Sequence, residues 1–113
     1  MAEIGLVHFL VVSSLVFGLG AAIVMTRRNA VAVLMGVEMI LNAAALNFVA
    51  FGRYIENQDI LTNARGAATA GQTVALFIVV AAAAEAAIAL AIVLNFFNRY
   101  QTIHLDEGSE LKQ

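Results

Sequence analysis

The chain has no cysteine, no proline and no tryptophan, and only 12% of its residues are charged. Without cysteine there are no disulfides, no thiolate metal sites and no thiol catalysis. Without proline, a break in a helix has to come from glycine or an inserted polar group. The two histidines, His8 and His104, lie far apart and make no metal-ligand spacing. A net charge of −2 argues against a nucleic-acid surface. What remains is apolar: 62% of residues are hydrophobic and the mean hydropathy is +0.89. A soluble domain of 113 residues could not hide that much apolar surface. The expected class is a single all-α domain that is integral to a membrane.

Three apolar runs set the organisation. The first extends from about Ile4 to Met25, the second from Ala30 to Phe51 and the third from about Thr73 to Phe97. Each is long enough, as a helix, to cross the ~30 Å hydrocarbon core of a bilayer. The opening MAEIG carries Glu3 and no basic residue, so the first run reads as a retained helix rather than a cleaved signal. Within it, Ser13 and Ser14 are expected to bond back to carbonyls one turn earlier. Gly18, Gly20, Ala21 and Ala22 offer a zone where another helix can come close. His8, one turn in, reads as an interfacial residue in preference to a proton relay.

The first connection is Thr26-Arg27-Arg28-Asn29, short enough to make the first two spans antiparallel neighbours. Asn29 is a good N-cap for the second. Residues 52–72 read as a polar connector containing Arg53, Glu56, Asp59 and Arg65, with a short surface helix near Asp59 to Ala64. Gly66 and Gly71 blur where the third span begins. Residues 98–113 form a polar tail, expected to be partly ordered on a partner. Arg27, Arg28, Arg99 and Lys112 fall on one side of the membrane, Arg53 and Arg65 on the other. Basic residues favour the cytoplasmic side, so the N-terminus is expected outside and the C-terminus inside a bacterial plasma membrane or its organellar equivalent.

Two residues do not fit a passive apolar bundle. Glu38 lies inside GVEMILNAAALNF and Glu85 inside AAAAEAAIALAIVL, each the lone carboxylate of its span. A charge at the centre of a spanning helix costs about 2.5–3.5 kcal/mol on insertion scales. Each acid must find a partner, face a wet cavity or stay protonated, and all three point to proton or ion handling. At 1.5 Å per residue, Glu38 lies about 12 Å and Glu85 about 18 Å from the inner ends of their spans. Asn42, one turn after Glu38, shares its face. The competing reading, in which each acid only fixes packing through a backbone or amide partner, is less favoured for intramembrane acids. For Arg27 and Arg28 two readings stay open: topology and headgroup contact, or a part in proton uptake and subunit docking.

Together, RRNAVAVLMGVEMILNAAALNF, AAAAEAAIALAIVL and the tail TIHLDEGSEL resemble chain K of proton-pumping NADH-quinone oxidoreductase, respiratory complex I, over nearly the whole chain. The resemblance implies a non-redox subunit of the membrane arm, with no catalytic activity alone. It implies no cofactor on this chain, with NADH, quinone, flavin and iron–sulfur clusters handled elsewhere in the complex. It implies A-, J- and N-type chains as neighbours. It matches Glu38 and Glu85 to the family's two membrane glutamates in the charge relay that couples quinone reduction to proton translocation, and Arg27 and Arg28 to its inner-loop arginine pair. The connector from Gly52 to Gln72 departs from the family by its length. Other membrane carboxylate proteins fit less well. A rotor-ring subunit has two spans and one acid. A small multidrug transporter has four spans and aromatic residues around its acid. The nearest alternative, the small C subunit of multisubunit sodium/proton antiporters, is similar in size and span count but generally lacks both glutamates and has a proline in the segment entering its third span. A purely structural membrane scaffold is the remaining alternative.

Overall fold

A computed structural model of the chain describes residues 3–58, 66–101 and 103–106. It is all-α, as expected: α1 is Leu6–Thr26, α2 is Ala30–Gln58 and α3 is Ala67–Tyr100. All three helices are long and apolar enough to cross a membrane. They run up, down and up, with α2 packed on both α1 and α3.

The packing is built from small residues. Among the described residues the buried side chains are alanines and Ser13, and no large side chain is fully buried. Large apolar side chains face outward instead; Met25 is 84% and Phe77 72% exposed. In a bilayer there is no hydrophobic drive to bring helices together, so close backbone approach and interhelical hydrogen bonds must do it. Between α1 and α2 the approach is made at Gly20 and Gly36. A methyl group on Gly20 would lie 2.7 Å from the Gly36 carbonyl oxygen, and one on Gly36 2.8 Å from that of Gly20. Two turns away, Ser13 Oγ donates to the Ala43 carbonyl across the same seam at 3.1 Å. Ser13 therefore does not bond back within its own helix as the sequence led us to expect. Facing α2, its hydroxyl satisfies itself between helices, where the bond also holds the pair together. Gly18 meets nothing within 4 Å and takes no part in the seam.

Between α2 and α3 the approach is made at Gly52 and Gly71. A methyl group on Gly52 would lie 2.6 Å from the Ala67 carbonyl oxygen, and one on Gly71 would collide with that of Phe48. This contact corrects the expected end of the second span and start of the third. Neither glycine breaks a helix. α2 runs on past Phe51 to Gln58, and α3 begins at Ala67 rather than Thr73 and ends at Tyr100 rather than Phe97. Polarity in this region does not mark where the helices end. Arg53 and Gln72 are exposed residues within the continuous helices. The long connector thus shrinks to the residues between Gln58 and Ala67. Glu56 anchors its far side: its Oε2 accepts from the Ala68 N–H at 2.8 Å, in the first turn of α3, where helix N–H groups lack partners. The short helix expected near Asp59 to Ala64 lies outside the described residues.

At the other end Asn29 caps α2, its Oδ1 accepting from the Val31 N–H at 2.9 Å. α3 stops at Gln101, whose left-handed backbone (φ 58°) turns the chain back, its N–H donating to the Phe97 carbonyl at 2.7 Å. The tail then returns to the α1–α2 loop. The Ala30 N–H donates to the Ile103 carbonyl at 2.9 Å, the Leu105 N–H donates to the Arg28 carbonyl at 3.3 Å, and Arg28 pairs with Asp106 at 3.0 Å. The described start of the tail is thus ordered on this chain's own loop.

The two seams give a direct contrast. Gly20→Leu should destabilise the helical bundle by about 1–3 kcal/mol, the usual cost of overpacking. Gly18→Leu should change it by less than about 0.5 kcal/mol, as at an open surface site. Titrating the purified chain from mild detergent into dodecyl sulfate and following the unfolding midpoint measures both; equal midpoints would contradict the seam.

Candidate functional site

The sequence-predicted acids sit on facing helices. Along α2, Glu38, Ala45 and Gly52 are spaced by sevens, a repeat that keeps residues on one seam of a packed helix pair. Gly52 touches α3 and Ala45 is buried, so Glu38 belongs to the stripe of α2 that faces α3. On α3 the corresponding stripe runs through Gly71, Ala75 and Ala82. Glu85 lies at its edge, one turn beyond Ala82.

The register of the seam sets their heights. Gly52 lies opposite Gly71. Fourteen residues back along α2 from Gly52 is Glu38; fourteen forward along the antiparallel α3 from Gly71 is Glu85. With the same rise in both helices, the two carboxylates come to one level of the bundle, on either side of the α2–α3 interface. The sequence reading put both near the midplane at somewhat different depths; the helix register brings them level.

Their surroundings differ. Glu38 is half-buried, and its Oε1 is shielded from solvent and accepts no hydrogen bond from any described residue. Glu85 is exposed on the open side of α3. Asn42 is exposed too and makes no hydrogen bond to Glu38, so it flanks the acid without holding it. In a membrane, an exposed intramembrane carboxylate and an unpartnered buried carboxylate oxygen both call for donors that this chain does not supply.

The arginine pair divides. Arg28 is engaged by Asp106, while Arg27 is exposed and pairs with no described residue. The ion pair is 64% and 53% exposed, in the range where such pairs contribute about 0–1 kcal/mol; the flanking backbone bonds make it a clasp. His8 accepts from the Gly5 N–H through Nδ1 at 3.1 Å and so serves the start of α1. Among the described residues no three His, Asp or Glu side chains gather in a way that could hold a metal ion.

One polar feature was not foreseen. On the α1-facing side of α2, Ser13, Ser14 and Asn47 line a groove of about 310 Å³ with Phe17 and Ile40. Asn47 Oδ1 is buried there without a hydrogen bond. The available signal was that Asn47 is an amide within an apolar span, four residues from Ala43, whose carbonyl Ser13 uses.

Comparison with known proteins gives a consistent picture. Residues 8–113 match the family described as NADH-ubiquinone/plastoquinone oxidoreductase chain 4L. The chain is 44% identical over 113 residues to an NADH-quinone oxidoreductase subunit K of Chlorobaculum tepidum, covering 100% of this chain and 95% of the relative. It is 45% identical over 112 residues to a subunit K 1 of Koribacter versatilis, covering 99% of each. It is 39% identical over 110 residues to a subunit K of Caulobacter vibrioides, covering 96% of this chain and 98% of the relative.

The level register can be checked directly. Cysteines replacing Glu38 and Glu85 should be joined by a short bifunctional thiol reagent in membranes. Cysteines replacing Glu38 and Ile92, about 10 Å further along α3, should not. Preferential joining of the second pair would contradict the register.

Proposed function

Because the chain belongs to the NADH-ubiquinone/plastoquinone oxidoreductase chain 4L family, we propose that it works as a membrane-arm subunit of a proton-translocating NADH-quinone oxidoreductase. In that role Glu38 and Glu85 are consecutive stations of a lateral proton or charge relay. The observation that carries this reading is their common level on opposite sides of the α2–α3 seam. Passing a proton between two carboxyl groups at one depth moves negative charge sideways across the seam without changing the net charge of the pair. No second buried ion has to be created, which is the expensive step in a low-dielectric interior. Water or partner side chains complete the path, since no described residue bonds Glu38 Oε1.

The chain itself handles no electrons in this account. NADH, flavin, iron–sulfur clusters and quinone belong to other subunits of the complex. A-, J- and N-type subunits cover its outward-facing apolar surface and bring donors to Glu85 and Asn42. The exposed Arg27 is the member of the arginine pair available to a partner or a headgroup. The whole chain is one membrane domain. The loop carrying Arg27 and Arg28 lies at the same end as Arg99 and the returning tail. That concentration of basic residues supports an inner position for this end and an outer position for the N-terminus.

In the assembled complex, Glu38→Gln should lower proton uptake into sealed vesicles and quinone-coupled turnover by at least about 100-fold, the low end of what a positioned proton-transfer group contributes. Glu85→Gln should lower them less, because Glu85 faces outward, where groups from a neighbour can substitute. Assembly is checked separately on native gels. Full pumping by assembled Glu38→Gln would reject the relay.

A further inference from the structure

A second site lies at the end of the bundle opposite the Arg27–Arg28 loop, where the start of α1 meets the last turns of the spanning part of α2. A cavity of about 360 Å³ opens there, within the ~300–1,000 Å³ range of small-molecule sites. Its walls are of two kinds. Glu3, Arg53 and Tyr54 supply polar groups, while Phe9, Leu46 and Val49 are apolar. The register of the α1–α2 seam orders them. Gly20 faces Gly36 and Ser13 bonds to Ala43. The same antiparallel register brings Leu6, the first residue of α1, level with Ala50, and Glu3, three residues before α1 begins, lines the same mouth as Arg53. Phe9, Leu46 and Val49 then lie deeper, toward the middle of the membrane. Arg53 is about 35 Å along α2 from Ala30, roughly a bilayer core away from the opposite end.

We propose that this cavity is a binding site for a zwitterionic phospholipid with a primary ammonium headgroup, of the phosphatidylethanolamine type. The rim offers one cation and one anion on the same cavity, and neither Glu3 nor Arg53 has an ionic partner among the described residues. Arg53 takes the phosphate through the planar fork of its guanidinium. Glu3 accepts hydrogen bonds from the ammonium. Tyr54 sits at the depth where aromatic residues with a polar tip are favoured. The acyl chain follows Phe9, Leu46 and Val49 inward. A purely anionic headgroup such as that of phosphatidylglycerol can offer Glu3 a hydroxyl donor but no cation to offset the like charge of the phosphate. A quaternary ammonium has no N–H to give it.

The test uses the purified complex, reconstituted in vesicles of equal phosphatidylethanolamine, phosphatidylcholine and phosphatidylglycerol. The photoreactive amino acid benzoylphenylalanine replaces Tyr54, and its adducts are identified by mass spectrometry. Phosphatidylethanolamine adducts should exceed each of the others by about tenfold, the value of one charge-assisted hydrogen bond. Arg53→Gln should reduce them by a similar factor. Glu3→Gln should bring phosphatidylethanolamine and phosphatidylcholine to parity; this variant keeps the test decisive if Arg53→Gln does not assemble. Equal labelling of all three lipids, preference for phosphatidylglycerol, or adducts to another subunit instead of lipid would overturn the proposal.

Discussion

The close approach of helix backbones at two glycine pairs is the constraint on which the rest of this structure depends. At Gly20–Gly36 and at Gly52–Gly71 there is no room for a methyl group. In a bilayer the apolar side chains gain nothing by leaving lipid for one another, so van der Waals contact between backbones and a few polar bonds hold the helices. A seam made this way has a sharply defined register, because sliding either helix by one residue would drive a side chain into a carbonyl. The functional geometry inherits that definition. The same register that seats Gly52 on Gly71 sets Glu38 level with Glu85, and the one that seats Gly20 on Gly36 brings the start of α1 to Ala50, beside the cavity that Glu3 and Arg53 line.

Small seams also leave the chain unfinished by itself. Its bulky residues point outward, Glu85 and Asn42 are exposed, and Glu38 Oε1 and Asn47 Oδ1 have no hydrogen-bond donor among the described residues. Polar groups at membrane depth without partners are costly, so they mark places where other chains, lipids or water must contribute. The chain holds two acids at one level of the bundle.

Much of this was legible in the sequence. Glu38 and Glu85 stand out because a lone charge in an apolar run has no cheap structural explanation. Asn29 was readable as a cap, and the short Arg27–Arg28 loop as a tight antiparallel turn, because those are local effects. Misreadings came where a residue's role is tertiary. Gly52 and Gly71 resemble helix breakers in one dimension and are contact points in three. Ser13 could bond within its own helix or across to Ala43, and only the neighbour decides. Glu56 capping α3 and Asp106 clasping Arg28 join residues far apart in sequence, which no local pattern records. Hydropathy located the three helices but not their ends, since α2 and α3 continue through polar residues.

The central claim is that Glu38 and Glu85 act in series on one path. The most direct measurement is proton uptake by vesicles containing the assembled Glu38→Gln/Glu85→Gln complex, compared with each single variant at matched assembly. Stations in series are coupled, so the double variant should pump no worse than Glu38→Gln alone. Losses that instead multiply, with each substitution exerting its full effect in the presence of the other, would mean two independent roles and contradict the account.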